Sequence, residues 1–104
     1  METITAANFD DCTATGKVVV EFYGNGCFNC QMMAPILSNV EYAFPDVRFY
    51  RVNADYYPDL VQKYQVTSLP TLLLFRHGQI LPAIVGVKPA QTLQHLIDQT
   101  LNYA

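Results

Sequence analysis

The sequence predicts an α/β fold, a mixed β-sheet with helices on both faces, and three observations predict it. The apolar residues alternate between compact β-branched and aromatic runs and the i, i+4, i+7 spacing of helices. A strand–helix–strand unit is followed by a hairpin, which joins parallel and antiparallel pairing in one sheet. The third is size and composition. With 104 residues, 51% hydrophobic and 14% charged, the chain has the length of one domain across residues 1–104. A chain of this length buries somewhat more than ~60% of its unfolded surface, enough for a core without disulfide staples or a structural metal.

The elements follow in order. A short edge strand is expected over residues 3–5 and a first helix over about residues 6–15. VVVEFY, residues 18–23, is an unbroken apolar run interrupted by one carboxylate, as expected of a central strand covered on both faces. A long helix begins around Cys27: Met33, Leu37, Val40 and Phe44 share one face, and Pro45 ends it. VRFYRVN, residues 47–53, reads as a strand, and residues 58–64 as a short helix opened by Pro58. TLLLF (residues 71–75) and ILPAIV (residues 80–85) flank Arg76-His77-Gly78-Gln79, a hairpin turn. Pro82 cannot donate to a ladder, so its strand belongs at the edge. Leu93, Leu96, Ile97 and Leu101 form the stripe of a closing helix, with Pro89 near its start.

Composition narrows the function. Six Lys and Arg against nine Asp and Glu leave no positive field to meet phosphates, which argues against nucleic acid. No apolar run approaches the ~18–20 residues of a membrane span. METITAANFDDC has neither the basic start nor the apolar stretch of a secretion signal, so a cytoplasmic protein is expected. Cys12, Cys27 and Cys30 are too few, and odd in number, for a disulfide framework.

The informative segment is GNGCFNCQMMAPIL. Cys27 and Cys30 fall at i and i+3 at the start of the long helix, where Cβ atoms are ~5–6 Å apart. A disulfide needs ~3.5–4.5 Å, so a modest adjustment of the first turn lets the pair oxidise and reduce. Free N–H groups and the helix dipole stabilise a thiolate at Cys27. Cys30, one turn inward, is less exposed, and this asymmetry makes Cys27 the attacking sulfur and Cys30 the resolving one. The alternative is half of a zinc site. It requires four ligands, and only Cys12, His77 and His95 remain to complete them, one in a hairpin turn and one on the polar side of the last helix. No metal is expected.

These blocks, taken together and in order, resemble the thioredoxin family over nearly the whole chain. VVVEFYGNGCFNC is similar to its strand and active-site turn, QMMAPIL to its second helix with a kinking proline at Pro35, and RVNAD to its third strand. SLPTLLLF is similar to the segment that bears the cis-proline, and RHGQI and VGV to the hairpin turn and the glycine facing the site. The resemblance implies the thioredoxin fold, a central mixed β-sheet of about five strands flanked by four helices. It implies Cys27 as nucleophile, Cys30 as resolving thiol and Pro70 as the cis-proline; without it, an ordinary trans turn is the reading for Pro70. Leu69 would then pair with an extended substrate strand, on a rim made of Tyr23, Gly26, Phe28, Leu69, Pro70, Val85 and Gly86. Glu21 stands where the family carries a buried acid, normally Asp, that moves a proton for the resolving thiol. Burial raises the pKa of such a carboxyl. Arg51 falls where a Lys is common, and a Glu21–Arg51 pair is expected to hold Glu21 ionised more firmly than Asp–Lys would, since Arg cannot give up its charge. The other reading of Glu21 is an edge-exposed carboxylate without chemistry.

Three departures accompany the resemblance. There is no tryptophan, and Gly26 and Tyr23 occupy the family's Trp positions. Phe28 and Asn29 replace Gly-Pro between the cysteines, restoring an N–H at Asn29 that can bond a sulfur and removing a rigid φ. More donors around the thiolate make the couple more oxidising. Cys12 has no family counterpart and reads as a small half-buried hydrophobe on the first helix, with an intermolecular disulfide as the alternative. The expected activity is reduction of protein disulfides by a monomer without cofactors, recharged by a thioredoxin reductase or equivalent donor. The rival is a thioredoxin-fold binding or scaffold subunit with little redox turnover.

Overall fold

The computed structural model of the chain describes residues 1–103. The order is β1 (Glu2–Thr3), α1 (Phe9–Thr13), β2 (Lys17–Tyr23), α2 (Phe28–Glu41), β3 (Val47–Asn53), a 3-10 turn (Ala54–Tyr56), α3 (Pro58–Lys63), β4 (Thr71–Arg76), β5 (Gln79–Val85) and α4 (Ala90–Tyr103). The sheet runs β1-β3-β2-β4-β5, with β1, β3 and β2 parallel and β4 and β5 antiparallel to their neighbours.

The burial of β2 explains its sequence. It lies at the centre, and alternate residues enter two cores. Val19 packs with Met33, Leu37, Leu72, Leu74, Leu93, Ile97 and Leu101 beneath α2 and α4. Val18, Val20 and Phe22 pack with Ile4, Phe9, Val52, Leu73 and Phe75 on the side of α1 and α3. A strand with water on one face would alternate; this one cannot. Glu21 lies on the Val19 face, and its fully buried side chain rules out the edge-exposed reading.

Several expected boundaries shift for physical reasons. The edge strand comes one residue earlier than residues 3–5. Ile4 still extends the ladder through its N–H to the Arg51 carbonyl (2.8 Å), but the Thr5 N–H turns to Asn8 Oδ1 (2.8 Å). That bond also trims the first helix from residues 6–15 to Phe9–Thr13, because Asn8, at the N-cap, spends its oxygen backward on Thr5. Helix α2 ends at Glu41 and not at Pro45. Tyr42, Ala43 and Phe44 continue in tighter i→i−3 bonds to Asn39, Val40 and Glu41, which leaves Phe44 buried where the helical pattern put it.

The β4–β5 turn has His77 at φ +53° and Gly78 at φ +79°, the two left-handed residues of a type I′ hairpin. A Cβ on Gly78 would stand 2.9 Å from the Ala14 carbonyl oxygen, so the position excludes other residues. β5 is an edge strand, as Pro82 requires. Leu72 pairs with Ile84 and Leu74 with Leu81, so Pro82 and Ala83 occupy a bulge where a missing N–H does least harm. Pro35 stands inside α2, where it leaves the exposed Gln31 without its helical donor. Among the described residues no helix is long and apolar enough to cross a membrane.

Ile97 is fully buried between α4 and the sheet. Ile97→Ala is expected to cost about 2–5 kcal/mol of unfolding free energy, measured by urea denaturation of the oxidised protein, with the disulfide pair still formed.

Candidate active site

β2 delivers the chain to the site and α2 carries it away, with only Gly24-Asn25-Gly26 and Cys27 between them. Gly26 adopts φ +64°, a left-handed turn that bends the chain into α2. Gly24 is required by crowding: a Cβ there would lie 2.8 Å from Leu69 Cδ1 and 3.3 Å from Asp55 Oδ2.

Cys27 is the N-cap of α2, in extended conformation, and its sulfur accepts the N–H of Cys30 at 3.1 Å. This is the role a Ser or Asp usually fills, satisfying one of the orphan donors at the helix start. The same donors and the helix dipole favour negative charge at this sulfur once the pair is reduced. Cys27 and Cys30 form a disulfide with Cα atoms 5.2 Å apart. Cys27 is partly exposed and Cys30 is buried at 4% exposure, so a partner can reach only the first sulfur.

Glu21, two residues before the end of β2, is 1% exposed. Arg51, opposite it on β3, places Nε 3.5 Å from Glu21 Oε1, so the expected pair forms. It is an ion pair without hydrogen-bond geometry: Glu21 Oε2 and Arg51 Nε are both buried with no hydrogen-bond partner. Burial and Arg51 act on the carboxyl in opposite directions, as expected of them. Arg51 pulls the carboxyl's pKa down, but burial pushes it up by more, and the net direction is upward. Arg51 therefore moderates the proton affinity of Glu21 without abolishing it. The guanidinium also lies on the Tyr23 ring, 3.8 Å from its centroid.

The remaining expected rim residues fall into two groups. Leu69 meets Gly24, the Leu69–Pro70 peptide is cis, and Gly86 donates its N–H to the Pro70 carbonyl at 2.9 Å. These contacts tie the end of β5 to the active-site turn. Phe28 and Val85, by contrast, are 70% and 50% exposed and stand out toward solvent. Cys12 is a free, half-buried thiol packed against the core beneath α1. No cluster of three His, Cys, Asp or Glu side chains able to hold a metal occurs among the described residues.

Sequence reasoning missed what holds the turn. Asp55 Oδ2 accepts the Asn25 N–H at 2.6 Å, Asn53 donates to Asn25 Oδ1 at 3.0 Å, and Asn25 donates to the Tyr56 hydroxyl at 3.3 Å. Asn53 in turn receives the Asp55 N–H, an Asx turn at the end of β3. The signal was the Asn-Ala-Asp triplet after a strand parallel to β2: it ends level with the active-site turn and carries the polar groups that such a turn needs.

Residues 1–99 match the thioredoxin family model. The chain is 35% identical over 99 residues to the thioredoxin of Chlamydia caviae, covering 95% of this chain and 97% of that one. It is 40% identical over 91 residues to thioredoxin-1 of Saccharomyces cerevisiae, covering 86% and 88% respectively. The oxidised form of mitochondrial thioredoxin 3 from Saccharomyces cerevisiae superimposes with a TM-score of 0.86 at 32% identity, over 95% of this chain and 94% of that one. With this fold and a Cys27–Cys30 couple at the head of α2, the chain belongs to the thioredoxin family and is a thiol-disulfide oxidoreductase that acts on protein disulfides.

Proposed function

We propose that Cys27 is the attacking sulfur, Cys30 the resolving sulfur and Glu21 the group that takes the Cys30 proton. The observation that carries this is the capping of α2 by a partly exposed Cys27 sulfur, with Cys30 buried behind it. The Cys27 thiolate attacks a substrate disulfide R–S–S–R′, forming the mixed disulfide Cys27–S–S–R and expelling R′–S⁻, which takes a proton from solvent. Cys30 then passes its proton to Glu21 and attacks the Cys27 sulfur. The Cys27–Cys30 bond forms, R–S⁻ leaves, and the two electrons of the dithiol have moved to the substrate. A carboxyl whose pKa is raised by burial is suited to accept a thiol proton and return it.

The backbone of Leu69 before the cis bond to Pro70, with Tyr23, Gly26, Phe28, Pro70, Val85 and Gly86 around it, takes the substrate as an added strand. This rim carries no charged side chain, which suits an extended polypeptide. The chain works as a single domain over residues 1–104 and as a monomer. A thioredoxin reductase or an equivalent donor of two electrons recharges the pair. A reducing compartment such as the cytoplasm fits a free Cys12 thiol and a turnover that must begin from the dithiol.

Cys27→Ser is expected to abolish reduction of a protein disulfide such as that of insulin, and Cys30→Ser to accumulate a mixed disulfide visible by mass spectrometry. Turnover retained by Cys27→Ser would reject the mechanism. With Asn29 at the second helical position, where Gly-Pro relatives have no N–H, the reduced form gains a donor. The reduction potential, set against glutathione, is expected above that of a thioredoxin with Gly-Pro between its cysteines, and a value at or below it would count against the extra donor.

The buried carboxyl also sets the sign of a pH effect. The unfolded chain titrates Glu21 near the ordinary value of 4.5, whereas the native state keeps the proton to higher pH. Between the two values the native state binds more protons, so its contribution to stability is full below 4.5 and falls as pH rises through the native value. Glu21→Gln, which cannot ionise, is expected to be more stable than the native chain at pH 7. Urea denaturation should show that gap closing at pH 4, and a gap constant with pH would refute a buried ionisation.

A further inference from the structure

The Tyr23–Arg51 contact has no part in the sulfur chemistry described above. Parallel pairing sets Arg51 opposite Glu21, and Tyr23, two residues along β2, faces the same side of the sheet. One guanidinium therefore touches both: its carbon is 3.8 Å from the Tyr23 ring centroid, and its Nε is 3.5 Å from Glu21 Oε1. No hydrogen bond locks the ion pair, since Nε and Glu21 Oε2 both lack a partner. The Arg51 side chain is 31% exposed, so its strongly hydrated alternative, swinging outward into solvent, is close at hand. A planar guanidinium stacks on a ring in a way that an ammonium does not.

We propose that Tyr23 is a positioning residue: its ring holds the Arg51 guanidinium over Glu21, so that the counter-charge stays beside the buried carboxyl throughout the thiol-disulfide cycle. The other elements against Glu21 offer no substitute. β4 brings Leu72 opposite it, α4 buries Leu93, Ile97 and Leu101 on that face, and α2 brings Met33 and Cys30, which titrates only when reduced. Among the described residues Glu21 thus has one facing cation, and that cation lies on one ring. The consequence for turnover rests on the reading of Glu21 as the acceptor of the Cys30 proton; the positioning role itself does not.

The test is a carboxyl 13C NMR titration of Glu21 in the oxidised full chain, where neither Cys27 nor Cys30 titrates. Tyr23→Phe keeps the ring and is expected to titrate as the native chain does. Tyr23→Leu keeps the apolar cover but not the ring, and is expected to raise the Glu21 midpoint by about half a pH unit. Tyr23→Met makes the same comparison with a second ringless side chain. Arg51→Met is expected to raise the midpoint further, and Tyr23→Leu to add nothing in that background. An unmoved midpoint in Tyr23→Leu and Tyr23→Met overturns the proposal, as does an equal rise with and without Arg51. Cys30 alkylation against pH, followed by peptide mass spectrometry in Cys27→Ser, separates the two readings. A Cys30 profile indifferent to Glu21→Gln, beside a Glu21 midpoint that follows the ring, removes the proton-acceptor role and leaves the positioning role standing.

Discussion

A sulfur caps a helix, and the rest of the site is arranged around that fact. Cys27 accepts the Cys30 N–H at the start of α2, so the atom that ends the helix is also the atom that reacts. The stabilisation of negative charge at a helix N-terminus falls off within the first turn. The sulfur must therefore sit on the cap itself, which requires the chain to leave β2 and enter α2 within four residues. Gly26 supplies the left-handed bend, Gly24 the close passage past Leu69, and Asp55 and Asn53 the hydrogen bonds that an irregular turn leaves open.

The same economy of space creates the central conflict of the fold. A strand that points at the cap from the middle of a five-stranded sheet is buried on both faces, and one of its residues is a carboxyl. Two effects of opposite sign act on Glu21. Desolvation disfavours its charge and Arg51 favours it, and desolvation is the larger. Had Arg51 been dominant, the group would stay ionised and could accept a thiol proton only weakly. Without Arg51 the carboxyl would hold its proton still more tightly. The net proton affinity of Glu21 is thus set by a partly exposed cation against complete burial.

Most of the architecture was legible because it follows from periodicity. The β-branched run at 18–23, the hairpin around His77-Gly78 and the Pro82 edge each reflect a local rule, and each lies where the rule puts it. The boundaries that moved did so through competing local bonds: Asn8 reached back to Thr5 instead of forward into α1, and α2 tightened before Pro45 instead of running to it. At the site, the cysteine pair and the Glu21–Arg51 partnership were legible from spacing together with the family resemblance. The Asp55 network was not, because Asp55 serves a backbone N–H thirty residues earlier, and only the register of β2 against β3 brings them level. The upward direction of the Glu21 pKa was legible from its place in a buried strand, but the balance of burial against Arg51 was not. That balance depends on how complete the burial is, and sequence supplies the residue types without the depth.

The absence of tryptophan changes how the rim can work. Tyr23, in one of the places where relatives carry Trp, is half-buried and has one ring face against Arg51, so that face is not free for a partner. Gly26 adds no side chain, and nothing lies within 4 Å of where its Cβ would be. The large apolar side chains exposed beside the turn lie instead along α2, at Phe28 and Met32, exposed by 70% and 46% and one helical turn apart on the same side. Phe28 lies between the two cysteines, in the first turn of the helix that Cys27 caps, so a change there alters the exposed apolar surface and the N-terminal turn together.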